Sequence, residues 1–227
     1  MGETRTAGTG AADEARAILL ESKAILEDDH FVYVTGDHGL GWIDKDALFP
    51  RTDRVDRLSK LLADAVRDCG AEVVCGPALG GVVVSQWVAH ELGALAVFGE
   101  HGDTTDEQRK AGGPLRGAFV LQRGYDRVVK GKRVLVVDDV VSTGYSVGHV
   151  ATAVRNAGGD VRHAASWVSR GNAGADEIGV DTYTYLVQVD IPGWSAAQCQ
   201  LCRDHVPVNA HYAHGRDYLE AHGARQP

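Results

Sequence analysis

Two adjacent acids, Asp138 and Asp139, close the apolar run Val134-Leu-Val-Val137, and Ser142, Thr143, Gly144, Tyr145 and Ser146 come soon after them. A strand that ends in carboxylates and passes through a small hydroxyl loop into a helix brings two chemistries together. The free N–H groups and dipole of the helix start favour an anion, to which Ser142, Thr143 and Ser146 add hydroxyl donors. The acids cannot ligate a phosphate, because like charges repel. They can accept hydrogen bonds from vicinal sugar hydroxyls, or hold Mg²⁺ through water. Either half alone describes an ordinary strand end or a Ser/Thr helix cap; together they describe a site for a ribose 5-phosphate. No Gly-Lys-Ser/Thr follows, so this is not a Walker loop, and the G-x-G-x-x-G spacing is absent.

The elements that must position these residues are legible as patterns. Arg133 to Asp138 is the strongest strand, and about Gly144 to Asn156 is a helix with Val147, Val150, Ala151 and Val154 inward. Glu72 to Cys75 is a strand, Gly76-Pro-Ala-Leu-Gly-Gly81 a turn, Val82 to Leu92 a helix, and Ala94 to Phe98 the next strand. Val161 to Val168 and Tyr183 to Val189 complete the set. Upstream, helices are expected over Asp13 to about Asp28 and Thr52 to Asp68, the second capped by Thr52 or Asp53 and stopped by Gly70. A short strand is expected over His30 to Val34. Alternating strands and helices imply right-handed crossovers and a parallel sheet, with ligands beyond the carboxyl ends of its strands. That rule directs attention to the turns at Gly76, Gly99 and Asp138.

Composition narrows the partners. The 227 residues hold 23 Lys and Arg against 31 Asp and Glu, a net charge of −8, which argues against a nucleic-acid or membrane-surface partner. No apolar run approaches the length of a membrane span, and nothing resembles a signal peptide. Four cysteines do not make a disulfide scaffold, so a reducing cytoplasm is the expected setting. Residues 1–12, small and polar, are expected to be a disordered tail.

The segment from Val134 to Ser146 resembles the motif by which type I phosphoribosyltransferases bind phosphoribosyl pyrophosphate (PRPP), an apolar strand ending in two acids and a Thr/Ser–Gly loop. The resemblance extends over most of the chain and is nearest to the orotate branch. Gly76 to Gly81 is similar to that branch's pyrophosphate loop, and His30-Phe-Val-Tyr-Val-Thr-Gly36 with Ile43-Asp-Lys-Asp46 to its base-pocket segment. Phe119 to Tyr125 and Cys199 to Pro207 are similar to segments of a bacterial sub-branch. The resemblance implies an α/β fold: a Rossmann-like parallel-sheet core at 51–190, a small hood built from 13–50, and a Cys- and His-containing extension at 191–227 packing near the hood.

It further implies Mg²⁺-dependent transfer of 5-phosphoribose from PRPP to a base, orotate first, within a homodimer. Asp138 and Asp139 would contact the ribose hydroxyls, and Val140, Val141, Ser142, Thr143, Gly144, Tyr145 and Ser146 would wrap the 5-phosphate. Ala78, Leu79, Gly80 and Gly81 would face the pyrophosphate. Many members have Gly where this chain has Tyr145. The polar, glycine-rich stretch from His101 to Gly117 is the natural lid over a reaction that must exclude water, and its Arg109, Lys110 and Arg116 could reach the leaving group. Arg109 and Lys110 are therefore the candidate catalytic cations, with Arg123 and Lys45 the other basic candidates. Lys45, Arg170 and Thr143 are the candidates for the base, because an Arg fork suits orotate's carboxylate. Departures at Val34, at Glu100-His101, where relatives often carry Arg-Lys or Glu-Arg/Lys, and at Ser169, where they carry Asp, keep another base open: another pyrimidine, a purine or a specialised heterocycle. A regulator that binds PRPP without catalysis is the alternative from another class. Cys199-x-x-Cys202, with His205, His211 and His214 nearby, raises a zinc reading that lacks a second Cys pair or regular His spacing; the resemblance makes the Cys pair part of a structural subdomain.

Overall fold

A strand buried on both faces needs apolar side chains at successive positions rather than at alternate ones. Val73-Val-Cys-Gly-Pro77 and Val134-Leu-Val-Val137 satisfy that demand, and every residue of both runs is buried. The computed structural model describes residues 1–33, 35–102 and 118–222. They divide into two units, Met1–Arg16 with Arg51–Val189, and Ala17–Pro50 with Asp190–Pro227.

In chain order the described strands are β1 (Glu3–Thr6), β2 (Ile25–Leu26), β3 (Phe31–Val32), β4 (His38–Gly39), β5 (Trp42–Ile43), β6 (Val73–Pro77), β7 (Leu95–His101), β8 (Phe119–Val120), β9 (Arg133–Val141), β10 (Asp160–Arg170), β11 (Thr182–Val189) and β12 (Gly193–Trp194). The described α-helices are α1 (Thr9–Glu21), α2 (Thr52–Val66), α3 (Gly80–Leu92), α4 (Tyr125–Val129), α5 (Tyr145–Asn156), α6 (Ala175–Ile178), α7 (Gln200–Arg203) and α8 (Gly215–Ala221).

The first unit carries a seven-stranded sheet in the order β1-β11-β10-β9-β6-β7-β8. All its pairings are parallel except that of β8 with β7. Val73, Cys75, Val134 and Val136 turn toward the cluster that holds Val147, Val150 and Val154 of α5. Their neighbours Val74, Leu135 and Val137 are equally buried, so both faces of the sheet are covered, the opposite one by α2 and α3. Each fully buried valine stabilises this arrangement by about 1.5–3 kcal/mol. The second unit has a three-stranded sheet, β12-β4-β3, and a two-stranded one, β2-β5, both antiparallel.

Several expectations are corrected. The segment read as a disordered tail is an edge strand and the start of a helix: β1 pairs in parallel with β11 from Glu3↔Thr182 to Thr6↔Tyr185. The Gly2 N–H donates to Asp176 Oδ1 at 2.6 Å, and Arg5 Nε to Thr184 Oγ1 at 3.1 Å. A polar edge strand is held by its backbone and has no apolar signature to announce it. The helix expected up to Asp28 stops at Glu21, because Lys23 takes a left-handed conformation (φ 57°) and Ile25-Leu26 pairs with Trp42-Ile43 instead. Short apolar runs suit either structure, so periodicity cannot decide between them. The α2 cap is Arg51, with no side-chain cap bond; its guanidinium pairs with Asp53 at 3.1 Å. β9 does not end at Asp138 but continues through both acids to Val141, held by β10 in register Ser166↔Asp138 and Ser169↔Val141.

Burial leaves two weak acids in this sheet unusually reluctant to ionise. It pushes the Cys75 thiol up from 9.0 to about 12 and the Tyr183 hydroxyl, bonded to Ser166 at 2.6 Å, up from 10.0 to about 12. Both hold their protons more tightly when folded than when unfolded. The stability tied to them is therefore complete below pH about 9 and is lost as the pH climbs toward about 12. Thermal midpoints should fall across that range, and Cys75→Ala combined with Tyr183→Phe should make the decline shallower while lowering the midpoint at neutral pH. An unchanged slope would contradict this assignment.

Candidate active site

The period-2 geometry of β9 sends its two acids to opposite faces. Asp138 and Asp139 are only 8% and 3% exposed. Each carboxylate is held by the peptide that follows it: the Asp139 N–H donates to Asp138 Oδ1 at 3.0 Å, and the Val140 N–H to Asp139 Oδ1 at 2.6 Å. Asp138 belongs to the wall of a pocket of about 460 Å³, which Val140 through Val147 complete. Its floor is therefore the strand end and the loop, and its far side is the first turn of α5. Tyr145 to Val147 open that helix, where N–H groups have no intrahelical acceptor. An anion would meet those N–H groups and the positive end of the helix dipole together.

The loop takes its shape from Gly144, the helix cap, at φ 75° and ψ −3°. That left-handed conformation disfavours a side chain, and a Cβ there would stand 2.9 Å from Ile178 Cγ1. Thr143 Oγ1 accepts a long hydrogen bond from the Tyr145 N–H at 3.4 Å. The Tyr145 ring lies against His149, with centroids 4.0 Å apart, and is 47% exposed.

The turn after β6 approaches the acids from the other face. β6 lies beside β9 in the sheet, and a Cβ on Gly80 would fall on the Asp139 carboxylate. A Cβ on Gly76 would fall on the Gly81 carbonyl, so the three glycines permit a backbone-on-backbone fold that no side chain allows. Gly76 lies within β6, while Gly80 and Gly81 already begin α3, which shortens the expected turn to its middle residues. The Ala78–Leu79 peptide is cis, and the Ala78 N–H donates to the Gly99 carbonyl at 2.8 Å. Leu79 is 84% exposed.

At the third turn, the strand expected to end at Phe98 runs on to His101. Glu100 and His101 belong to β7, and Arg123 grips Glu100 through two bonds of 3.0 Å each. That bond holds the Glu100 carboxyl below its ordinary range and engages one of the basic candidates in an exposed ion pair. Arg109, Lys110 and Arg116 lie outside the described residues. Arg170 ends β10, beyond the buried Ser169, whose register partner is Val141. The first unit thus brings Asp138, Asp139, the Val140–Ser146 loop and the Gly80 turn together. Lys45 belongs to the second unit, in a 3₁₀ turn over Lys45–Ala47. Val147 is a wall residue the sequence does not announce, since its apolar spacing marks it only as helix core.

A family model described as the phosphoribosyl transferase domain matches residues 46–199. The orotate phosphoribosyltransferase of Pelotomaculum thermopropionicum is 34% identical over 196 residues, covering 86% of this chain and 94% of its own. That of Caldanaerobacter subterraneus is 30% identical over 190 residues, 84% of this chain and 92% of its own. Among solved structures, the orotate phosphoribosyltransferase of Mycobacterium tuberculosis in complex with inorganic phosphate shares the fold. Its TM-score is 0.59 at 21% identity, over 80% of this chain and 96% of that one.

Close approach at Gly80 makes a direct prediction. Gly80→Ala should destabilise the protein by about 1–3 kcal/mol as the acid and the turn are forced apart, measured by denaturant unfolding. Gly10→Ala, in α1 with nothing within 4 Å of the added methyl, should be neutral or stabilising by up to about 1 kcal/mol. Equal effects of the two would mean that the turn does not press on Asp139.

Proposed function

The chain belongs to the phosphoribosyl transferase family, and on that footing we propose that it moves the 5-phosphoribosyl group of PRPP to a ring nitrogen of orotate. The observation that carries the proposal is the pocket walled at one end by the buried Asp138 carboxylate and at the other by the start of α5. A phosphate at the helix start and a diol at the acid are the two ends of a ribose 5-phosphate. The donor is thereby defined by chemistry, and the acceptor by likeness to relatives that bear the name orotate phosphoribosyltransferase.

In the proposed reaction the ring nitrogen forms a bond to the anomeric carbon as the carbon–oxygen bond to pyrophosphate breaks, and pyrophosphate departs with the bonding pair. The sugar gains oxocarbenium character on the way. The 5-phosphate, held by the N–H groups of α5 and by Ser142, Thr143 and Ser146, anchors the ribose so that its anomeric carbon is presented in one orientation. Asp138 accepts from the ribose hydroxyls and places negative charge near the developing cation. Asp139, turned toward Gly80, links the ribose end to the Ala78–Gly81 turn, whose backbone can approach the pyrophosphate without side-chain obstruction. Arg109 and Lys110 are the proposed source of positive charge for the leaving group. Arg170 and Thr143 are the proposed base contacts of the first unit.

Magnesium fits the donor set. Asp138 and Asp139 offer carboxylate oxygens, the ligands that a hard cation takes directly or through water. The ion would supply neutralisation of the departing pyrophosphate. The resemblance also supports a homodimer working in the cytoplasm. No described helix is long and apolar enough to cross a membrane.

Pyrophosphate release from PRPP and Mg²⁺, followed with a panel of bases, tests the reading. Orotate alone should support turnover, and Asp138→Asn should lower kcat/KM by about 10²-fold or more at unchanged thermal stability. Release with a different base alone would replace orotate as acceptor, and PRPP binding without turnover on any base would leave a regulator. For the base contact, Arg170→Ala should raise the KM for orotate about tenfold, the loss of one charge-assisted fork. An unchanged KM would remove Arg170 from the site.

A further inference from the structure

We propose that the second unit is built around a zinc ion held by His30, His38, Cys199 and Cys202. The four side chains place one ligand atom each within 4.8 Å of all the others. His30, His38 and Cys199 are 1%, 0% and 0% exposed. Cys202 Sγ lies 3.3 Å from His38 Nδ1 and 3.7 Å from His30 Nε2, and Cys199 Sγ lies 3.7 Å from the same Nε2. Tetrahedral zinc, with bonds of about 2.0 Å to nitrogen and about 2.3 Å to sulfur, sets N···S edges of about 3.5 Å and an N···N edge of about 3.3 Å. The N···S edges match. The two imidazoles stand closer, at 2.7 Å, a hydrogen-bond length that widens by about half an ångström on an ion.

The surroundings orient these atoms as a metal requires. His30 Nδ1 sits 2.8 Å from the Val206 carbonyl, so that nitrogen carries the proton and Nε2 presents its lone pair to the cluster. This backbone partner is the outer contact that ligating histidines ordinarily have. The His38 ring is fixed edge-on against Tyr218, with centroids 4.9 Å apart at 85°. Cys199 and Cys202 are both free thiols. On binding, each gives its proton to solvent and becomes a thiolate, so the ion takes up two negative charges and two neutral imidazoles.

A unit of this kind has reason to use a metal. Its described strands are two residues long and its helices at 200–203 and 215–221 are short. Small folds with so little regular structure are commonly stapled. The four ligands join its two stretches of chain, 17–50 and 190–227. The histidines expected near the Cys pair are elsewhere: His205 and His211 are exposed, and His214 faces Asp217 at 3.3 Å. The true partners lie some 170 positions away, beyond the reach of any spacing rule.

Metal analysis of the full-length protein, purified without added chelator and again after zinc reconstitution, tests the proposal. About one zinc per chain is expected, and Co²⁺ in its place should give the strong visible bands of a tetrahedral site with a thiolate charge-transfer shoulder. Cys199→Ser with Cys202→Ser, and separately His38→Ala, should lower bound zinc at least about tenfold, whereas His205→Ala with His211→Ala should retain it. If the variants fail to fold, the wild-type cobalt spectrum and zinc release on thiol blocking decide. A reconstituted wild type with no zinc, a Cys199–Cys202 disulfide found in its place, a cobalt spectrum without thiolate character, or full zinc in the double Cys variant would each overturn it.

Discussion

Burying two neighbouring carboxylates at the end of a central strand is the constraint on which the first unit turns. Desolvating a charged group costs several kcal/mol, and one hydrogen bond to such a group returns about 1.5–3 kcal/mol. The peptide after each of Asp138 and Asp139 donates it a hydrogen bond, which helps orient the carboxylate. The strand must be central, so that β10 and β6 hold its backbone on both sides. The turn beside it must be glycine, so that backbone dipoles can stand where side chains would exclude a ligand. The acids are thus set for a polyhydroxyl or cationic partner.

The same pressure explains why the pocket lies where it does. Parallel strands deliver every carboxyl end to one edge, and the helix starts that follow put N–H groups along it. The chain passes from strand to helix in three residues, Ser142 to the left-handed Gly144, and Gly148 lets α5 lie close to α6, where a Cβ would stand 3.0 Å from the Ile178 carbonyl oxygen. Each glycine trades side-chain contact for a backbone position. Of the departures from the family pattern, Tyr145 opens α5 within this frame, while Ser169 is buried at the end of β10 and His101 follows Glu100, which is held by Arg123.

The second unit rests on different physics. Its described strands are only two residues long, and of its four clustered ligands His30, His38 and Cys199 are buried and Cys202 is half-buried. Coordination would convert what is otherwise a group of buried imidazoles and thiols into its strongest set of bonds. The first unit, by contrast, has a large cluster of buried apolar side chains packed against its sheet.

Local chemistry made much of this legible before any coordinates. The acid pair, the Ser/Thr–Gly loop and the glycine turn are each written in a few consecutive residues, and the alternation of apolar strand and amphipathic helix in a few tens, because strand burial, helix capping and turn geometry are short-range. The edge strand at Glu3–Thr6 was not legible, since polar residues paired through their backbone leave no pattern. Nor was the end of α1, where Ile25 and Leu26 suit either structure and only their partners Trp42 and Ile43 decide. The division of Asp138 from Asp139 between two faces follows from strand geometry, but what each then meets depends on β6 lying next to β9. The same holds for His30 and His38, which have nothing near them in sequence to mark them. The sequence by itself determined most of the central strands and helices of the first unit and its acid–loop–helix motif, because those depend on neighbours along the chain. Tertiary structure alone decided that Gly80 lies on Asp139 and that two histidines meet a distant Cys pair, because contacts across the fold depend on strand order and loop closure.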